Sequence, residues 1–177
     1  ESHKVVPYCP RCQTSLSSHE VALGYEDVTE PSIVIKFKIK NLENRYILAW
    51  TTTPWTLFSN LALAVKSDAD YVVVKEKDSE YILAKDLVNK YFENPKVIEE
   101  IEGNDLVGLE YEPLFDYFKN RLDKKAWFVI VADFVSLDEG TGVIHMAPAF
   151  GEEDYEACKA NNLPFVQPVN EEGKFTD

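Results

Sequence analysis

The chain has 177 residues, 45% of them apolar and 28% charged, a balance that fits one folded domain with a real core and excludes a disordered chain. Its 31 acidic against 18 basic residues give a net charge of −13, which excludes a self-sufficient nucleic-acid binder, since such a protein neutralises phosphates with a basic face. No apolar run reaches the roughly 18 residues of a membrane span, and three cysteines, two of them in Cys9-x-x-Cys12, make no disulfide framework and point to a reducing, cytoplasmic setting.

The sequence opens at Glu1 with no basic and apolar leader and reads as a piece of a larger protein. Residues 1–20 are polar and turn-rich, a knuckle or linker around the cysteine pair, and residues 21–177 read as one globular domain. Alternation in Ile33–Ile39 (IVIKFKI) predicts a half-buried strand, and further strands are expected at Tyr46–Trp50, Leu61–Val65, Tyr71–Lys75, Tyr81–Ala84 and Lys96–Ile101. Asp86–Phe92 reads as a short helix ended by Asn94-Pro95. Gly103-Asn104 marks a turn. Ala126–Val135 (AWFVIVADFV) is nearly continuously apolar and reads as the strongest strand of the chain. After a turn at Asp138–Gly140, Val143–Met146 resumes a strand. Gly151–Asn162 predicts a helix whose three first-turn acids suit the positive end of its dipole. Many short strands with few helices predict a mainly β fold, a closed or nearly closed β-barrel with a few peripheral α-helices.

Two stretches do not follow a packing pattern. Trp50–Leu57 (WTTTPWTL) places three consecutive hydroxyls beside a proline, and Thr53-Pro54 fits a helix start, with threonine as cap and proline at the first helical position. Gly140–Tyr155 (GTGVIHMAPAFGEEDY) places Gly-Thr-Gly, His145 and an acidic cluster around an expected strand, turn and helix start. Singly, these threonines are strand fillers or caps, His145 is a satisfied strand histidine and Asp154 is a first-turn acid. Together they read as two walls of a small pocket, with a hydroxyl cradle opposite a carboxylate able to pair with an ammonium group. The chain carries no G-x-S-x-G, H-E-x-x-H, P-loop or G-x-G-x-x-G motif, so an enzyme built on it positions a water and forms no covalent intermediate.

WTTTPWTL, SNLALAV, VSLDEGTGVIHMAPAFGEEDY and CPRC…LSSHEVALGY resemble the editing domain of isoleucyl-tRNA synthetase, the connective insertion of a class I enzyme, from about Val5 to the C-terminus. Related domains of valyl and leucyl synthetases typically continue the threonine motif with Arg-Pro, where this chain has Thr53-Pro54-Trp55. The resemblance implies hydrolysis of valine mischarged on isoleucine tRNA, and of valyl-adenylate, with the tRNA 3′ end held mainly by the rest of the synthetase and no membrane involved. It implies that Thr51, Thr52 and Thr53 contact the ester and terminal adenosine, and that Trp55 and Thr56 shape the site. His145 would wall the side-chain pocket and Asp154 would hold the α-ammonium, with Thr52, His145 and Asp154 as the catalytic set. No cofactor is implied for editing. Zinc is implied for the parent enzyme, with Cys9 and Cys12 as half a site whose partner cysteines lie beyond Asp177, and the pair is expected to be metal-free in this fragment; His3, His19 and Cys158 are the other soft ligands present. Phe58 departs from the family's usual proline. The alternatives are editing of the valyl or leucyl type and a silent zinc-anchored module that only positions the tRNA acceptor end.

Overall fold

The computed structural model describes residues 5–176. The cysteine segment forms a small hairpin, β1 (Tyr8–Cys9) and β2 (Thr14–Ser15), followed by α1 (Ser18–Ala22). This hairpin and helix were not among the expected elements. A capping box starts α1: the Ser17 hydroxyl accepts from the Glu20 N–H while the Glu20 carboxylate accepts from the Ser17 N–H.

The body carries two sheets. The five-stranded sheet has the order β3 (Ile33–Lys38), β4 (Arg45–Thr51), β7 (Ser79–Ala84), β6 (Asp70–Glu76), β8 (Lys96–Glu102), with β4 and β7 parallel and the other pairs antiparallel. Arg45 ties the parallel pair to the edge strand by ion pairs to Glu80 at 2.7 Å and Glu99 at 3.0 Å. The three-stranded sheet has β5 (Ala62–Val65) between β10 (Ile144–Met146) and β9 (Phe128–Val131). Both of its faces are covered. Leu63, Val65 and Val129 join the main core with Phe37, Ile47 and Tyr111, while Ala64, Ile130 and Met146 pack with Cys158 of α2 (Glu152–Ala160). Burial on two faces is why the β9 sequence reads as an unbroken apolar run.

The expected closed or nearly closed barrel does not form; both sheets are open, with β3 and β8 at the edges of one and β9 and β10 at the edges of the other. A barrel needs a continuous ladder. Here residues 109–112 bridge the seam with only isolated pairs, Ile39 with Tyr111 and Glu110 with Phe128. Trp127 explains why the ladder stops there. Its φ of +61° lies in the left-handed region, a real outlier for a bulky residue, and it ends the expected Ala126–Val135 strand at Phe128 on that side. Its backbone N–H instead donates to Leu61 O at 2.7 Å, its indole N–H donates to Asn60 O at 3.1 Å, and its carbonyl accepts from Tyr111 N–H. Two expected helices also come out tighter than α. Lys85–Lys90 and Pro54–Ser59 are 3₁₀ turns, and Thr53 makes no side-chain cap bond to the second of these.

Candidate active site

The threonine run lies where β4 leaves the five-stranded sheet. Pro54 pre-sets the turn that follows, and the 3₁₀ helix Pro54–Ser59 packs Leu57 into the main core. Asn60 fixes the far end of this helix: its amide N–H donates to Ala62 O at 2.8 Å, and its Oδ1 accepts from the buried Tyr111 hydroxyl at 2.7 Å. Opposite, β10 carries Ile144 and His145, Ala147 follows it, and the chain turns through Phe150 into α2, whose first turn holds Asp154. These elements enclose a cleft of about 400 Å³ lined by Trp50, Thr51, Thr52, Thr53, Trp55, Thr56, Ile144, His145, Ala147, Phe150, Gly151 and Asp154. All seven residues named from sequence as substrate-binding or catalytic therefore border one cavity.

The hydroxyls differ in what they are free to do. Thr51 Oγ1 accepts from Thr53 N–H at 3.0 Å and lies 3.2 Å from Thr53 Oγ1. Thr56 Oγ1 donates to Thr53 O at 2.8 Å and sits 2.9 Å from His145 Nε2. Thr51, Thr53 and Thr56 are thus consumed in an internal chain that ends on the imidazole. Thr52 hydrogen-bonds to nothing among the described residues, which leaves its hydroxyl free to meet a ligand.

His145 is buried at 6% exposure, and burial pushes its ring down to about 4, so it is neutral at physiological pH. Asp154 Oδ2 accepts the Ala147 N–H at 2.8 Å, but burial dominates and pushes the carboxyl up to about 6. No Lys, Arg or His forms an ion pair with it among the described residues. Gly151 makes room for this carboxylate: a Cβ there would stand 3.2 Å from Asp154 Cγ. A desolvated, unpaired carboxylate in a cleft is a receptor for a cation.

The Gly-Thr-Gly that opens the second motif lies outside the cleft. The Thr141 hydroxyl donates to Leu48 O at 2.7 Å, Gly140 O accepts the Tyr91 hydroxyl and Gly142 O accepts the Tyr71 hydroxyl. Both glycines have positive φ, +65° and +72°, and a Cβ on Gly142 would overlap Ala84 Cβ at 2.3 Å. The segment is a latch that seats β10 against the large sheet. Trp50, Ile144, Ala147, Phe150 and Gly151 are the cleft residues the sequence reading left without a role; their signal was membership of the two motifs.

Cys9 and Cys12 sit on the exposed hairpin, where N–H groups of Cys12 and Arg11 turned toward Cys9 hold its thiol below its ordinary range. Zinc needs about four ligands. The pair supplies two, and no group of three or more candidate ligands exists among the described residues. Cys158 lies on the buried face of α2 in the second core, and His3 lies outside the described residues. These residues do not by themselves make a zinc site. No helix is long and apolar enough to cross a membrane among the described residues.

Residues 30–177 match the family described as leucyl-tRNA synthetase, editing domain. The chain is 52% identical to an isoleucine–tRNA ligase of Clostridium tetani over 178 residues and 54% identical to one of Clostridium novyi. All of this chain is covered, but it spans only 17% of the length of those relatives. Among solved structures, that of GlLeuRS-CP1 superposes with a TM-score of 0.61 at 20% identity, covering 73% of this chain and 59% of the other, a likeness of fold. With the family match across most of its length, the chain belongs to the editing domains of class I aminoacyl-tRNA synthetases.

Proposed function

We propose that the cleft hydrolyses aminoacyl esters, removing valine wrongly joined to isoleucine tRNA and, before transfer, valine from its adenylate. The observation that carries this is the buried Asp154 carboxylate, unpaired within the described protein and facing a threonine-lined cavity. An α-ammonium satisfies it, and the amino acid is then held with its ester toward Thr52. The isoleucine specificity is supported by the relatives, which are isoleucine–tRNA ligases at about half identity. The need for such a site is energetic: one methylene is worth about 1–3 kcal/mol in an apolar pocket, isoleucine against valine being the usual illustration, so a second and smaller sieve multiplies selectivity. His145 walls that sieve.

Catalysis here is positional. The carboxylate and hydroxyls hold the ester in place, a water reaches its carbonyl, and cleft donors face the developing charge. The reaction belongs to the cytoplasm, where tRNA is charged, and the rest of the synthetase delivers the tRNA 3′ end. In the full-length enzyme, Asp154→Ala is expected to abolish clearance of valyl-tRNA and leave isoleucine activation intact. Clearance at the wild-type rate would show that the ammonium is held elsewhere.

A further inference from the structure

Phe58, the residue that departs from the family's usual proline, lies on the 3₁₀ helix Pro54–Ser59 just beyond Thr56 and has no part in the cleft. Its ring is the centre of a cluster. It stacks on Phe115 with centroids 4.7 Å apart and planes at 23°, and it meets Phe175 at 5.1 Å and Tyr117 at 5.9 Å. A core would cover such rings. Here Phe115, Tyr117 and Phe175 are 39%, 61% and 52% exposed, so a contiguous aromatic patch is left in water, and patches of this kind mark binding surfaces.

The patch is continuous with the cleft. Trp55 and Phe150 line both the cleft and a neighbouring trough of about 910 Å³. Phe175 carries that trough into a hollow of about 550 Å³ bordered by Phe58, Tyr117 and Arg121. Among the described residues, Glu171 alone brings a charge to the trough. The far end has the opposite sign: residues 115–125 hold four cations against two acids, in a chain of net charge −13. Lys119 and Lys125 are paired with Asp116 and Glu110, but the Arg121 guanidinium makes no ion pair or hydrogen bond among the described residues.

We infer that this track seats the unpaired 3′ segment of the aminoacylated tRNA, with bases stacking on the rings around Phe58 and a phosphate meeting Arg121. The inference rests on the hydrolytic reading of the cleft, which requires an esterified strand to enter it. Exposed aromatic faces take up unstacked bases with little regard to sequence, whereas the bases of a duplex are already stacked on one another. A guanidinium free of carboxylates suits a phosphate. One free cation and a few rings do not capture a strand from solution against the net charge; they place it once the full synthetase has brought it near.

The test is made in the full-length synthetase by comparing kcat/KM for valyl-tRNA with that for valyl-adenosine, an ester with no further nucleotides. Tyr117, the most exposed ring, is replaced by Phe and by Leu. Tyr117→Leu should lower the ratio on the order of tenfold, within the range of one stacked base, chiefly through KM for valyl-tRNA, and Tyr117→Phe should retain it. A valyl-tRNA with abasic nucleotides in its unpaired 3′ segment should lose a similar factor on the wild type and little more on Tyr117→Leu. Arg121→Gln should reduce the slope of log KM against log salt by about 0.7, the value for one phosphate of a single strand. An abasic strand cleared as fast as the natural one, or a salt slope indifferent to Arg121, overturns the proposal. Leucine serving as well as tyrosine also overturns it, and assigns the patch to contact with a protein surface. A wild type that hydrolyses neither ester overturns the hydrolytic reading itself, and the proposal with it.

Discussion

Asp154 sets the cleft's chemistry at a cost to the free protein. Its folded pKa, about 6, lies above the ordinary 3.8 because burial penalises the charged form. A raised carboxyl pKa favours folding below the unfolded value, and that contribution is lost as pH rises through about 6. At neutral pH the charged group therefore destabilises the free chain by at most about 3 kcal/mol. Asp154→Asn keeps an acceptor for the Ala147 N–H and removes the charge. It should raise the urea midpoint at pH 7.5 and bring little gain near pH 4; equal gains at both would show that burial of the charge is not the cause. On the proposed function an α-ammonium reverses the penalty, so binding of a valyl analogue between about pH 4 and 6 should release protons. His145 is the complementary residue. If His145 walls the side-chain pocket as proposed, shortening it in His145→Ala opens that wall, and correctly charged isoleucyl-tRNA should then be deacylated; unchanged discrimination would exclude it as the gauge.

At the scale of elements, the site depends on a seam. The 3₁₀ helix after the threonines ends on Asn60, which is held by the Tyr111 hydroxyl and accepts the Trp127 indole N–H. Tyr111→Phe leaves Asn60 Oδ1 buried without this donor, at about 1–3 kcal/mol. That loss should appear in denaturant titration, together with a weaker valyl-analogue affinity because the helix carries Thr56. Affinity unchanged at reduced stability would uncouple the seam from the site. The alternation that predicts β3 follows from one face of the strand meeting the core at Phe37. The end of β9 was not legible, because nothing local marks Trp127 for the left-handed region; its backbone is held there by Leu61 and Tyr111, distant in sequence. The same holds for the barrel. Counting strands gives the class of fold, but closure depends on pairing at residues 109–112, where single bridges stand in place of a ladder. Within the motifs, residue types pointed to the cavity, while the division between consumed and free hydroxyls required the hydrogen-bond chain from Thr51 to His145.

For the whole molecule, charge decides how the substrate arrives. With a net charge of −13, the chain repels the phosphates of the tRNA whose 3′ end the cleft is proposed to receive. Several of its cations are also spent: Lys38, Lys40, Arg45, Lys85 and Lys125 pair with glutamates on its own surface. A protein that binds nucleic acid by releasing counterions loses affinity steeply as salt rises, in proportion to the phosphates it neutralises. This chain has little such capacity, so on the proposed function delivery falls to parts of a synthetase outside it; the chain spans 17% of the length of its relatives. In fluorescence anisotropy with labelled isoleucine tRNA, the chain alone should show no saturable binding below about 10 µM at moderate salt, at the weak end of non-specific affinity. The full-length synthetase should bind under the same conditions with a clear salt slope. Tight, salt-sensitive binding by the chain alone would mean that its surface carries a local basic track strong enough to outweigh its net charge.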